Sequence, residues 1–344
     1  NLADIENKYD AFMDKKAKDF ILNRNAEMKI QGEKPNSFFC SLEKNSASQK
    51  YIPKLEISEG RGEKKYITEQ GAIEKELSAY YKNLFSNNEK NITHSPEEFL
   101  DNDNDHVKLN DKEALEIEGA ITEEELGQIL KKTKNDSSPG ASGFNYNFYK
   151  FFWIDLKSFI TRSANYSYEA GKLPTSQRYG IISVIPKGDE NKELISNWRP
   201  LCLLNSIYKL NSGAIAKRIN SKLDKIINYD QCGFVGGRFL GDCIRTTNDI
   251  LEWGLNKKKM GLLLLIDFHK AFDSINFSFI SKSLSFFGFK ENIQRWIWIL
   301  LHNFSASTIH AGNISEKFDI LVGCRQGDPV APPLFILAME ILRS

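Results

Sequence analysis

Between Gly261 and Ile280 the sequence reads GLLLLIDFHKAFDSINFSFI, with four leucines and an isoleucine running straight into Asp267 and a second aspartate, Asp273, six residues on. A continuous apolar run of this length opened by a glycine predicts a short β-strand covered on both faces. An ionised carboxylate at the end of such a strand has to face a solvated cleft or meet a cation, because burying it unpaired is costly. Taken alone, the residues also fit a plain turn at Asp267, with Asp273 capping a helix that begins near Ser274. A divalent cation, which favours oxygen donors, is the sharper alternative.

The remaining composition is that of a chain that folds around a core: 344 residues, 41% hydrophobic, long enough for two or three domains. A net charge of +1 hides a sharp asymmetry. Lys172 to Lys259 holds fifteen Lys and Arg against eight Asp and Glu, whereas Ser95 to Asp136 holds five against thirteen. The basic part predicts contact with a polyanion, and the acidic part a solvated linker that keeps phosphate away. Cys40, Cys202, Cys232, Cys243 and Cys324 show no C-x-x-C spacing and are read as reduced thiols of an intracellular protein. No apolar run approaches the roughly 20 residues that cross a bilayer, and no signal peptide opens the chain, so a soluble protein is expected. The start, with Leu2, Ile5, Tyr9, Phe12 and Met13 on one helical face and no initiator methionine, is read as an excised piece.

Periodicity predicts one amphipathic helix from Asn1 to about Ile30, ended by Gly32 and Pro35, an irregular or strand-like passage to about Lys65, and a helix from the N-cap Thr68 to Phe85. In ITEEELGQILKKT, Thr122 stands at the cap, Glu123 to Glu125 in the first turn and Lys131 with Lys132 in the last, which suits a helix dipole. The Ser-, Pro- and Gly-rich stretch from Asp136 to Gly143 is a loop, and the aromatic residues from Phe144 to Trp153 cover more than one helical face and read mostly as core. A strand is expected over Tyr179 to Pro186 and a helix with a basic side over Ser206 to Ile227. Further helices follow over Asp242 to Trp253, Phe277 to Phe287 and Asn292 to Phe304, with short strands over Thr308 to Ala311 and Lys317 to Val322. Gln231 to Arg238 is glycine-rich, yet no G-K-[ST] follows to make it a P-loop.

Asp267, Ala271, Phe272 and Asp273 fill the pattern D-x-x-x-A-F-D, which resembles the first catalytic motif of reverse transcriptases of LINE-type (non-LTR) retrotransposons. Four more stretches stand in that family's order: SSPGASGFNYNFY from Ser137, ISVIPK to Lys187 with NWRPLCLLN from Asn197, DQCGFVGGR from Asp230, and GCRQGDPVAPPLF from Gly323. Gly32 to Lys44 and Ala79 to Phe85 are similar to the region that precedes the polymerase core.

The resemblance implies an α+β fold: right-hand polymerase fingers and a partial palm, an antiparallel sheet with helices, behind a helical N-terminal extension. The expected divisions are 1–90 for the extension, 91–120 for an acidic linker, 121–260 for fingers with template-binding motifs and 261–344 for the partial palm. It also implies an RNA-directed DNA polymerase working on an RNA template and a DNA primer, with deoxynucleoside triphosphates and two Mg2+ ions. Asp267 would be catalytic and, with Phe268, would stand at the metal. Lys187 and Arg199 would hold the triphosphate, an ammonium and a guanidinium fork both suiting phosphate oxygens. Phe272 would leave no room for a ribonucleotide's 2′-hydroxyl, and Gln326 would contact the nucleotide. Without the resemblance, Lys187 and Arg199 read as solvated charges and Phe272 as core. Ala331, where a serine is more usual, and Pro333, which lengthens the proline run, are departures expected to shift the next helix's entry by a residue. The sequence holds no Asp-Asp pair and stops about where the family's Y-x-D-D hairpin begins, so a fragment inactive by itself is expected. The alternatives are a catalytically dead RNA-binding remnant and a group II intron-type maturase. A cytoplasmic ribonucleoprotein and the nucleus are the implied locations, with no membrane partner.

Overall fold

The computed structural model describes residues 51–59, 63–86, 98, 106–135, 137–188, 190–268 and 270–342. The helix expected over Asn1 to Ile30 and the stretch Gly32 to Lys44 lie outside the described residues. The residues from Ile52 onward form one compact unit, which holds every element of the fold given below.

In chain order the elements are β1 (Leu55–Glu59), β2 (Glu63–Ile67), α1 (Gln70–Leu84), α2 (Asp111–Leu115), α3 (Glu123–Lys132), α4 (Tyr146–Phe151), α5 (Trp153–Glu169), β3 (Tyr179–Pro186), β4 (Trp198–Leu204), α6 (Ser206–Ile226), α7 (Leu240–Asn256), α8 (Ala271–Ser274), α9 (Phe277–Phe286), α10 (Glu291–Leu301), β5 (Phe304–His310), β6 (Asn313–Ile314), β7 (Phe318–Ile320) and α11 (Ala331–Ile341). β1 and β2 form a hairpin of their own. β3 pairs antiparallel with β4 and parallel with β5, and β5 pairs antiparallel with β6 and β7. The result is a five-stranded mixed sheet. Strands expected in the fingers and strands expected in the palm thus share one sheet, in place of a separate antiparallel palm sheet. A parallel pair needs a long crossover, and residues 187–303 supply it.

The core gathers around α6, which buries Tyr208, Leu210, Ile215, Ile219 and Leu223 and packs against α3, α10 and α11. Each such side chain removed from water contributes about 1.5–3 kcal/mol. The α3 contact is close because position 213 is glycine: a Cβ there would lie 2.9 Å from Ile129 Cγ2. α3 opens on a reciprocal cap, Thr122 Oγ1 accepting from the Glu125 amide at 3.2 Å and the Thr122 amide donating to Glu125 Oε2 at 3.0 Å. On α1, by contrast, the N-cap is Glu69 rather than the expected Thr68, and no side chain caps it.

Two further expectations meet a different structure. From residue 106 on, the stretch read as a solvated acidic linker over 91–120 is folded into the core, with Leu109, Ala114 and Ile117 buried. Its acids neutralise the basic side of α6: Lys222 pairs with Glu116 at 2.6 Å and Lys225 with Glu113. Arg218 forks onto Glu125 at 2.7 and 2.8 Å and donates to the Gly119 and Ala120 carbonyls at 2.7 and 2.9 Å. The opposite charges of the two stretches answer each other within the fold.

The second difference is the strand expected over Leu262 to Ile266. The segment is neither helix nor strand, and its side chains are exposed, from 53% at Leu263 to 93% at Leu262. α7, just before it, buries none of its residues. A strand covered on both faces needs paired edges and a layer above and below. Among the described residues Leu262 to Ile266 pairs with no strand of the sheet β4-β3-β5-β6, and without a partner or a covering layer the run stays in solvent.

Candidate active site

The site grows from the β3–β4 hairpin, the loop between α3 and α4, and one buried charge pair. Lys187 leaves the end of β3 with its amide donating to the Asn197 carbonyl at 2.9 Å, and Trp198 Nε1 donates to the Lys192 carbonyl at 2.9 Å, closing the loop between β3 and β4. The pleat of β4 turns Trp198, Pro200, Cys202 and Leu204 inward and leaves Arg199 exposed. Gly140 lets the loop between α3 and α4 approach the end of β4, since a Cβ there would stand 2.5 Å from the Asn205 amide nitrogen. Ser142 then donates its amide to Asn205 Oδ1 at 3.0 Å. Arg238, from DQCGFVGGR, spends its guanidinium capping α6, donating to the Ile227 and Gln231 carbonyls at 2.9 and 3.0 Å and pairing with Asp224 at 3.0 Å.

In the segment 323–328, Arg325 and Asp328 are buried and ion-paired at 3.1 Å. Tyr208 Oη donates to Asp328 Oδ2 at 2.5 Å, Ser212 donates to Oδ1, and Arg325 Nη2 donates to the Leu300 carbonyl at 2.6 Å. This clamp under the turn leaves the two residues between the charges, Gln326 and Gly327, at the surface of the cavity. Gly327 has φ +103°, and a Cβ there would lie 2.9 Å from the Cys202 carbonyl oxygen, while the Cys202 amide donates to the Gln326 carbonyl at 2.8 Å. A side chain at 327 would therefore be strained and blocked at once.

The same segment holds the D-x-x-x-A-F-D motif. Cys324 donates its amide to the Phe272 carbonyl at 2.6 Å and Gly323 to the Ile275 carbonyl at 2.8 Å. Gly323 has φ +85°, and a Cβ would stand 2.5 Å from the Asp273 carbonyl oxygen. α11 begins at Ala331 with the prolines in its first turn, where no amide donor is required.

These parts enclose a cavity of about 820 Å3. Lys187, Arg199, Asp267, Phe268, Phe272 and Gln326, the residues singled out from the sequence, all line it. So do Tyr80, Tyr81 and Leu84 of α1, Lys270 and Asp273. Lys187 and Arg199 have no ion-pair partner among the described residues. Phe272 is half-buried, its ring stacked on Phe335 at 4.4 Å, so it packs and lines the cavity together. Lys270, left-handed at φ 52°, donates to Tyr80 Oη at 2.5 Å. Asp267 and Phe268 stand exposed on the open side. Asp273 is buried, accepts from Gln326 Nε2 at 3.3 and 3.2 Å, and is pushed up to about 6 by burial, against the lowering pull of Gln326, Lys270 and Lys187.

Tyr80, Tyr81, Leu84, Lys270, Asp273 and the Arg325–Asp328 clamp belong to the site without being singled out by the sequence. Opposite charges three apart in R-Q-G-D are the one signal that points to the clamp. The donor set does not make a two-ion site: no three His, Cys, Asp or Glu side chains converge among the described residues, and Asp273 is taken up by Gln326.

Comparison with known proteins gives this arrangement its class. Residues 185–344 match the reverse transcriptase (RNA-dependent DNA polymerase) family. The chain carries a reverse transcriptase domain related to those of non-LTR retrotransposon proteins. It is 29% identical over 308 residues to the transposon TX1 uncharacterized 149 kDa protein of Xenopus laevis, covering 90% of this chain and 23% of that protein. It is 28% identical over 176 residues to the Pol polyprotein of the type-1 retrotransposable element R2 of Popillia japonica, covering 50% and 24%. It is 23% identical over 230 residues to the putative 115 kDa protein of element R1DM of Drosophila melanogaster, covering 67% and 22%. The chain thus spans about a quarter of the length of these relatives. No described helix is long and apolar enough to cross a membrane.

Proposed function

We propose that the cavity is the site where a non-LTR retrotransposon reverse transcriptase receives the incoming deoxynucleoside triphosphate. The observation that carries this reading is that Lys187, Arg199, Phe272 and Gln326, far apart in sequence, line one cavity beside Asp267. Two cations without ion-pair partners among the described residues suit a triphosphate, the guanidinium by its fork and the ammonium as a point charge. Phe272, stacked on Phe335, would exclude a 2′-hydroxyl by contact, and Gln326 would offer its amide to the nucleotide. Template RNA and primer DNA are the polymeric partners. Work in an intracellular ribonucleoprotein and the nucleus belongs to the same reading.

Magnesium ions bound to the triphosphate would neutralise its charge and polarise the reacting oxygens. Asp267 supplies one open carboxylate to them and Phe268 stands beside it, which is too few donors for two ions. Because catalysis of this class rests on positioning and charge neutralisation, the 344 residues alone are expected to bind nucleotide without extending a primer.

Photolabelling with an azido-deoxyuridine triphosphate tests the site. Label on peptides carrying Trp198 to Pro200 or Gln326 to Pro332, removed by excess dTTP, is expected. Label confined to α7 or spread over the surface contradicts the reading.

A further inference from the structure

Asp273 is a carboxylate of the cavity that the proposed reaction leaves unused. It is buried, lies on the short α8, and has no cation at ion-pair distance among the described residues. Among those residues, the group that donates to its side chain is Gln326 Nε2, which reaches both oxygens at 3.3 and 3.2 Å. A charge in this position does nothing for packing, and a neutral residue of the same shape would cost the fold less.

Its chemistry nevertheless fixes something. An ionised carboxylate only accepts, so it pairs with the nitrogen of a carboxamide and never with its oxygen. We propose that Asp273 is a positioning residue for Gln326: by holding Nε2 it leaves Oε1 as the acceptor offered to the bound nucleotide. This deepens the reading of the cavity as a nucleotide site and rests on it.

The backbone supports the same assignment. Gln326 cannot drift away from Asp273, because its carbonyl is tied to β4 through the Cys202 amide at 2.8 Å. Asp273 cannot drift away from Gln326, because Cys324 and Gly323 hold the Phe272 and Ile275 carbonyls at 2.6 and 2.8 Å on either side of it. Gly323 permits this, since any Cβ would meet the Asp273 carbonyl. With both ends anchored, the remaining freedom is the amide's rotation, and the carboxylate removes it. Among the described residues Oε1 accepts no hydrogen bond, so it is the free end of the pair. Asp267, exposed on the open side of the cavity, has no such partner.

Asp273→Asn keeps the shape and lets the amide bond in either sense. The test uses the full chain with three readouts: side-chain amide NMR after glutamine-selective 15N labelling, thermal stability, and the Kd for dTTP by calorimetry. Asp273→Asn should shift the Gln326 side-chain amide signals without lowering the melting temperature at pH 8. It should weaken dTTP binding about tenfold, the scale of one hydrogen bond, and Gln326→Ala should weaken it to a similar degree. In the Gln326→Ala background, Asp273→Asn should add less than about twofold, since the two residues act as a unit. Unmoved Gln326 signals, or losses that multiply in the double variant, overturn the proposal. Absence of dTTP binding by the wild-type chain would instead remove the nucleotide reading, and the NMR comparison would still decide whether Asp273 holds Gln326.

Discussion

Two parts of the chain are equally rich in apolar residues and end up in opposite environments. α6 buries its apolar side against three helices and has its basic side answered by Glu113, Glu116 and Glu125. The stretch from Phe239 to Ile266, with Ile244, Leu251, Trp253, Leu255 and the four leucines, exposes nearly all of its apolar groups. The difference lies in the neighbours and not in the residues themselves. A helical face or a strand is buried only when the fold places a complementary surface against it, and composition cannot report whether that surface exists.

The largest effect should come from breaking the partnered region at its deepest charge. Asp328→Ala leaves Arg325 buried without its counter-ion and should cost about 3–5 kcal/mol, seen as a loss of cooperative unfolding or a large drop in denaturation midpoint. A midpoint shift as small as that of a surface change would show that the clamp is not what holds the Gln326 turn.

The contrast between the two stretches can be sharpened with one substitution in each. Leu223→Ala in α6 should cost about 2–5 kcal/mol, as removal of a fully buried leucine does. Leu264→Ala, at an equally apolar residue, should stay within about 0.5 kcal/mol. Urea titrations of both variants measure the gap directly, and equal costs would mean that Leu262 to Ile266 is covered after all.

A smaller effect concerns Asp273, which lies in the partnered region but lacks a cation. Burial raises its carboxyl to about 6 from an ordinary 3.8, while Gln326, Lys270 and Lys187 pull it down. It is also felt by the buried Tyr81 hydroxyl and Cys324 thiol. The folded state therefore holds this proton more tightly than the unfolded one. Ionisation is destabilising, so the penalty is fully present above pH 6 and fades as the pH falls toward 4. Asp273→Asn should accordingly be more stable than wild type at pH 8, by on the order of 2 kcal/mol, with the difference gone near pH 4. A difference independent of pH would place the charge in contact with solvent.

Local pattern made much of the fold legible. β3 occupies the span its alternation predicts, α6 ends one residue from the predicted limit, and Thr122 with Glu125 caps α3. What was not legible is long-range. Nothing in Tyr179 to Pro186 announces a parallel partner at Phe304 to His310, and nothing in Leu262 to Ile266 announces that no strand pairs with it. The site divides in the same way. Lys187, Arg199, Phe272 and Gln326 stand in motifs that could be read from the chain, whereas Asp273 matters only because Gly323, from another motif, brings Gln326 against it.

The central claim is that the cavity between Lys187, Arg199 and Gln326 holds a nucleoside triphosphate by its phosphates, and calorimetric titration of the 344-residue chain with dTTP and dTMP tests it most directly. One saturable dTTP site is expected, with dTMP bound at least about tenfold more weakly. Lys187→Ala and Arg199→Ala should each weaken dTTP by about 10- to 100-fold, the scale of a charge-assisted hydrogen bond, and leave dTMP nearly unchanged. Equal affinity for the two nucleotides, or a Lys187→Ala, Arg199→Ala double variant that binds dTTP as the wild type does, would contradict it.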